Sequence, residues 1–352
     1  MPTSVLVVDD SALMRRALKG ILAEAGGFEV HTARNGVDAL EQLGRLQPDV
    51  VTLDINMPEM DGLTCLARIM EEQPTPVVMV SSLTEHNALV TLEALELGAV
   101  DYVPKPGGTV SLNIDEVSTD LINKVRNASA AKIKRAGGLS ARLKAQSRRT
   151  AVPPQREIGA VGAVDLVLIG SSTGGPALLS DLLPQLPGTL GAPVVVAQHI
   201  PASFTGALAR RLDEICALRV HEVDRIMTVQ RGNIYIGRGN ADVVVARRTD
   251  GLIVKSVPST PEYRWHPSVD RLVASARRYI DPSRLVCALL TGMGDDGAKE
   301  MAVVKEGGGR TIAEAEETAV VWGMPGELAR RGGATVVLPS YEIAEKLADW
   351  VR

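Results

Sequence analysis

Short apolar runs rich in β-branched residues recur along the chain and alternate with longer stretches of helical period, and that alternation constrains the fold before any motif is considered. Strand-like runs at 5–8, 29–32, 50–53, 77–80 and 101–103 are separated by helical stretches at 12–25, 36–45, 62–72 and 87–97. The pattern predicts a parallel sheet with helices on both faces, because each parallel strand needs a crossover to bring the chain back to the same end. Asn35-Gly36, Asp61-Gly62 and Gly98-Ala99 supply the punctuation. Chemistry-bearing residues follow these runs: Asp9 and Asp10 after the first, Asp54 after the third and Lys105 after the fifth. In an open parallel sheet the carboxyl ends of the strands share one edge, so these residues are expected to meet there.

The alternation predicts a front domain at 3–121. From 122 to 160 the chain reads as a linker, its periodicity fading from about Asn127 into Ala, Ser, Gly, Pro and the basic residues Lys132, Lys134, Arg135, Arg148 and Arg149. This basic run reads as a solvated face or as an attractor for an acidic partner surface. A second α/β domain is expected over 161–352, with strands at 165–169, 193–197 and 285–290 and an antiparallel hairpin insertion drawn from 233–236, 242–245 and 252–257.

A net charge of −4 and the lack of a helix-turn-helix or aromatic-basic pattern argue against a nucleic-acid partner. No apolar run approaches the roughly 18 residues of a membrane span. Met1-Pro2-Thr3-Ser4 leads into a strand without a basic leader, so a cytoplasmic location is expected. Cys65, Cys216 and Cys287 are far apart and set among apolar residues, which suits packed, reduced thiols.

Three carboxylates and a lysine at one sheet edge suit Mg²⁺ and a phosphoryl group: the hard cation takes carboxylate and phosphate oxygens, and the lysine balances the remaining charge. Singly, each Asp also reads as a helix cap. Ser81, ending the fourth run, offers a hydroxyl to the same place, whereas Tyr102 reads equally as a packed aromatic.

In the rear half, Gly170-Ser171-Ser172-Thr173-Gly174 lies between a strand and a helix, the setting in which a sharp turn exposes a serine nucleophile. A phosphate-cradling loop or a plain turn fits the same pentapeptide. Gln198-His199 and Thr291-Gly292-Met293-Gly294-Asp295-Asp296-Gly297 follow two further apolar runs, so a serine, a histidine and an acid each end a buried strand. His221 and His266 compete with His199, which alone ends a strongly apolar run. A DNA-binding or nucleotide-binding rear domain is the alternative.

Val8-Asp9-Asp10-Ser11, Asp54 to Gly62 and Lys105-Pro106 resemble the flavodoxin-like receiver domain of two-component response regulators. The resemblance implies that Asp54 accepts phosphate from a histidine kinase and that Asp9, Asp10, Asp54 and the Asn56 carbonyl hold Mg²⁺. It implies further that Lys105, Ser81 and Tyr102 form the switch and that the Lys105–Pro106 bond is cis. The motifs around Ser172, His199 and Asp296 resemble the doubly wound, mostly parallel catalytic domain of the bacterial chemotaxis protein-glutamate methylesterase (CheB) family. That resemblance implies a serine hydrolase with Ser172 as nucleophile, His199 as general base and acid, Asp296 as its orienter and the Met293 N–H as oxyanion donor. No cofactor serves that step. Its implied substrates are γ-glutamyl methyl esters, and also glutamines, on the cytoplasmic domains of methyl-accepting chemoreceptors. The unphosphorylated receiver is implied to cover the catalytic cleft. Ser171 departs from the Ala that is frequent in the family.

Overall fold

The computed structural model describes residues 2–82, 85–105, 114–131, 164–249 and 251–351, and the chain divides into two units, Met1–Val152 and Pro153–Arg352. In the first, β1 (Thr3–Val8), α1 (Ala12–Ala25), β2 (Phe28–Ala33), α2 (Gly36–Leu46), β3 (Val50–Asp54), α3 (Gly62–Glu72), β4 (Val77–Ser81), α4 (Glu85–Leu97), β5 (Asp101–Pro104) and α5 (Ile114–Ser129) alternate along the chain. The five strands form a parallel sheet in the order β2-β1-β3-β4-β5, the flavodoxin-like arrangement. Strands β3 and β4 are buried at every residue, as a sheet covered on both faces requires. Ser11, Asn35 and Asp61 cap the first three helices by accepting from the N–H three residues on, which fixes each strand-to-helix turn.

The last helix corrects the linker boundary. Leu121, Val125 and Ala128 are buried on one stripe of α5, so 122–129 is helix rather than linker. Pro106 and the basic residues Lys132, Lys134, Arg135, Arg148 and Arg149 lie outside the described residues.

The second unit contains β6 (Leu166–Ser171), α6 (Gly175–Leu182), β7 (Val194–Gln198), α7 (Ala202–Ile215), β8 (Arg219–Val223), β9 (Met227–Thr228), β10 (Asn233–Gly237), β11 (Ala241–Arg248), β12 (Gly251–Pro258), α8 (Val269–Arg277), β13 (Leu285–Leu289), α9 (Ala298–Glu306), β14 (Arg310–Glu314), α10 (Met324–Arg330), β15 (Val336–Leu338) and α11 (Ser340–Trp350). Seven strands form a parallel sheet in the order β15-β14-β13-β6-β7-β10-β8. The order reverses at β6: the chain leaves it toward β7 on one side and returns to β13 on the other. Such a switch point leaves a crevice at the carboxyl ends of the strands.

The antiparallel insertion is smaller than the sequence suggests. β11 and β12 pair over eight residues with the short β9 beside them, but β10 lies inside the main sheet, parallel to β7 and β8. The core beneath the switch point is aliphatic, with Leu166, Leu168, Val195, Leu285 and Leu289 all buried. Cys65, Cys216 and Cys287 are free and buried, and burial pushes the Cys65 thiol up to about 12. Among the described residues no helix is long and apolar enough to cross a membrane.

Candidate active site and phosphoryl site

At the front sheet's edge, β1 and β3 are neighbours, so the residues just past one meet those ending the other. Lys105 Nζ lies 3.0 Å from Asp9 Oδ2 and 2.8 Å from Asp54 Oδ2. Asp9, Asp10 and Asp54 each bring a carboxylate oxygen within 4.8 Å of the others. Asp9 and Asp54 are buried and Asp10 is exposed, a set of hard oxygens with one open side that fits Mg²⁺. Burial pushes the Asp54 carboxyl above the usual range and the nearby Asp9 adds to this, against the opposing pull of Lys105 and of the Asn56 N–H. Burial disfavours the Lys105 cation too, yet its bonds to Asp54 and Asp9 hold its pKa above the ordinary value.

Ser81 is tied to this place through the main chain, since its carbonyl accepts from Lys105 N at 2.9 Å. Its hydroxyl accepts from Thr91 Oγ1 at 3.0 Å. Tyr102 is buried, with Lys124 Nζ 4.8 Å above its ring. Two features escaped the motifs. Arg15 Nη1 donates to the main-chain carbonyls of Asp9 (2.7 Å) and Asp10 (3.0 Å), and Gly62 packs where a Cβ would lie 2.2 Å from the Asp54 carbonyl oxygen.

In the rear sheet the strand ladder itself assembles the site. Ser171 pairs with Gln198 across β6 and β7, and the next residues continue the pairing through His199 N to Ser171 O at 3.0 Å. On the other side Ser172 N donates to Thr291 O at 2.9 Å, which draws the 291–297 loop up beside the serine. A Cβ on Gly292 would lie 2.7 Å from Ser172 Cβ, so only glycine lets the peptide preceding Met293 approach this closely.

His199 Nε2 bonds Asp296 Oδ2 at 2.8 Å. Three more donors converge on the same carboxylate: Val269 N (2.7 Å), Asp270 N (2.9 Å) and Ser268 Oγ (3.0 Å). Two of these are first-turn N–H groups of α8, a position that favours negative charge. The helix reaches the strand ends because positions 170 and 297 are glycine: a Cβ on either would lie 2.5 Å from Val269 Cγ1. Burial alone would raise the Asp296 carboxyl, but the bond and charge of His199 and the amides of Asp270 and Val269 outweigh it and hold the group low. Asp270, half-buried beside that charge, is pushed up to about 6 by its partial burial and by the Asp296 carboxylate.

The buried Gln198 braces both halves of the site. Its Nε2 donates to the carbonyls of Ser172 (2.9 Å) and His199 (3.0 Å), and its Oε1 accepts from Ser171 Oγ at 2.6 Å. The competing histidines are used elsewhere: His221 bonds Asn233 at 2.9 Å and His266 bonds the buried Asp242 at 3.0 Å. Asp295 lies in the loop ahead of α9 and its carbonyl accepts from Ala298 N at 3.0 Å.

Known proteins share both halves. Residues 167–347 match the family model for CheB methylesterase and residues 5–113 that for the response regulator receiver domain. A protein-glutamate methylesterase/protein-glutamine glutaminase of Rhodopseudomonas palustris is 54% identical over 356 residues, covering 98% of this chain and 97% of its own. One from Archaeoglobus fulgidus is 44% identical over 350 residues, covering 99% and 98%.

The chain belongs to the CheB methylesterase family. In three dimensions, the CheB catalytic domain of Thermotoga maritima covers 53% of this chain and 99% of its own length, with 39% identity and a TM-score of 0.51. That membership sets aside a DNA-binding or nucleotide-binding output domain. Within the CheB fold, the contacts at the site that sequence reasoning misses are those of Ser268, Gln198 and the α8 amides. Only Ser268 carried a local signal, as a Ser before a helical stretch.

Proposed function

We propose that this chain is a phosphorylation-activated protein-glutamate methylesterase, and a protein-glutamine glutaminase on the same site, acting on the cytoplasmic domains of methyl-accepting chemoreceptors. The observation that carries the reading is the junction at the β6 switch point, where a serine turn, a histidine just past the neighbouring strand and a carboxylate with four donors come together.

The chemistry derives from proton placement. Because Asp296 is held ionised, the imidazole nitrogen facing it, Nε2, carries the proton, and Nδ1 keeps its lone pair. Among the described residues Nδ1 is buried without a hydrogen-bond partner, which leaves it as the nitrogen to act as base. Ser172 Oγ attacks the γ-carbonyl of a glutamyl methyl ester as Nδ1 takes its proton. The Met293 N–H stabilises the tetrahedral oxyanion. The imidazolium then protonates the departing methoxide, methanol leaves, and water activated at Nδ1 releases the glutamate. With a glutamine substrate the same steps expel ammonia. Asp296 stays ionised throughout, balancing the imidazolium.

In the front unit Asp54 is the phosphoryl acceptor, with a chemotaxis histidine kinase as donor. Asp9, Asp10, Asp54 and the Asn56 carbonyl would hold Mg²⁺, which when bound would supply positive charge to offset that of the transferring phosphoryl group. Lys105 pairs the new phosphoryl charge, roughly −1.5 to −2, and Ser81 and Tyr102 pass on its presence. The test is methanol release from methyl-labelled receptor by the full chain, with and without phosphodonor. Release that requires Ser172 and rises with donor supports the reading, and release unaffected by Ser172→Ala rejects it.

A further inference from the structure

We propose that Trp265 is a positioning residue for the hydrolytic step, holding the His199 imidazole in plane while it packs on the loop that carries Met293. The inference rests on His199 as the general base.

The two rings are stacked, their planes 7° apart and their centroids separated by 5.8 Å. This lies within the offset-stacked range of aromatic pairs, roughly 4.5–7 Å. The same indole lies against the 291–297 loop, since a Cβ on Gly294 would come within 2.7 Å of Trp265 Cζ2. Trp265 therefore touches the base on one side and the residue after Met293 on another.

A second support is needed because Asp296 grips the imidazole through one atom only. That bond fixes Nε2 and leaves the ring able to tilt about it, which would move Nδ1, the nitrogen assigned as base. A flat surface against the ring face removes the tilt. An imidazolium formed during turnover would also gain a cation–π attraction from the indole face.

The indole is itself anchored. His266, the next residue, and Ser268 both donate to Asp242 Oδ1, at 3.0 and 2.7 Å, and Arg271 Nη1 holds Asp242 Oδ2 at 2.5 Å. Asp242 is fully buried at the start of β11, so the hairpin insertion serves as the post to which this loop is tied. The Arg264 guanidinium lies 5.2 Å from the Trp265 ring centroid and extends the support.

The test compares Trp265→Phe, Trp265→Leu, Trp265→Met and His199→Gln in the phosphorylated full chain. Each variant is checked for cooperative thermal unfolding, and two quantities are read: kcat and KM on methyl-labelled receptor, and the rate at which a fluorophosphonate labels Ser172. Leu and Met fill much of the volume without offering a flat face, so both are expected to lose about 10- to 100-fold in kcat with little change in KM, as small misplacements of a reacting group do. Phosphonate labelling falls in parallel, because it needs the base but no ester leaving group. Trp265→Phe restores a ring face and stays within about 3-fold of wild type in kcat. Should Trp265→Leu not fold, the Met and Phe pair decides. The proposal is overturned if Leu or Met keeps wild-type kcat, if the loss is in KM alone, or if Phe is as impaired as Leu. An active His199→Gln removes the base assignment beneath it, a different failure, recognised without reference to Trp265.

Discussion

Asp54 and Asp296 occupy equivalent places in two parallel sheets, each buried beside the point where strand order reverses, yet their surroundings drive them in opposite directions. Asp54 sits next to another carboxylate with one lysine and one amide to balance it, and its proton affinity is raised. Asp296 receives four donors, two of them from a helix N-terminus, and its proton affinity is lowered. The sheet supplies only the location. What is brought to the edge decides whether a buried carboxylate is left short of partners, ready for a metal and a phosphoryl group, or is saturated and serves as a fixed charge. An under-compensated group is the one whose chemistry can be switched.

The comparison breaks most visibly at the rear site. Ser172→Ala is expected to abolish methanol release, a loss of at least ~10³-fold, while leaving Asp54 phosphorylation and thermal unfolding nearly unchanged. Asp296→Asn is expected to lower kcat by about 10³ to 10⁴, since an amide bonds the imidazole in the wrong tautomer and cannot balance the imidazolium. Asp295→Asn, whose side chain takes no part in the carboxylate cradle, should cost far less. Kinetics in which Asp295→Asn is the crippled variant would move the acid by one residue.

A second pair of outcomes sharpens the electrostatic contrast. Asp296 has a pKa below its ordinary value of 3.8, so the stability it contributes is present above that value and is lost as pH falls through its lower folded value. Asp54 has a raised pKa, so the unfolded chain gives up this proton first and folding stability declines as pH rises past 3.8 toward its folded value. Without Mg²⁺ at neutral pH, Asp54→Asn should therefore raise the melting temperature of the front unit by a few degrees, whereas Asp296→Asn should lower that of the rear unit. Melting curves in which both amides shift stability the same way would remove the contrast. Asp54→Asn must also abolish the response to phosphodonor.

The smallest effect belongs to Ser171→Ala. The variant removes one buried hydrogen bond to Gln198 and leaves the two amide donations from Gln198 in place, so a loss of about 1 kcal/mol in stability with a mild change in kcat is expected. A large loss of kcat would show that the brace works through Ser171 itself.

Much of this was legible because a parallel strand buried on both faces writes itself as a plain apolar run, and the residue after it is the one presented at the edge. Val194–Gln198 and Leu285–Leu289 are such runs, and His199 and the 291–297 loop come directly after them. β10 was misplaced because turn residues flank Asn233–Gly237 and suggest a hairpin, while its partners β7 and β8 lie earlier in the chain. The end of α5 was lost because its buried stripe, Leu121, Val125 and Ala128, is carried on an otherwise polar segment. Trp265 was out of reach for a different reason. It lies in the segment between β12 and α8, and nothing in local periodicity says which ring it will meet.

On the proposed reading, one chain joins Asp54 as phosphoryl acceptor to Ser172 as hydrolytic nucleophile. The most direct test of that coupling is methanol released from methyl-labelled receptor by wild type, Ser172→Ala and Asp54→Asn, each with and without a small-molecule phosphodonor. Wild type should be stimulated, Asp54→Asn should stay at the unstimulated wild-type rate in both conditions, and Ser172→Ala should release none in either. Methanol release by Ser172→Ala, or stimulation of Asp54→Asn by the donor, would contradict it.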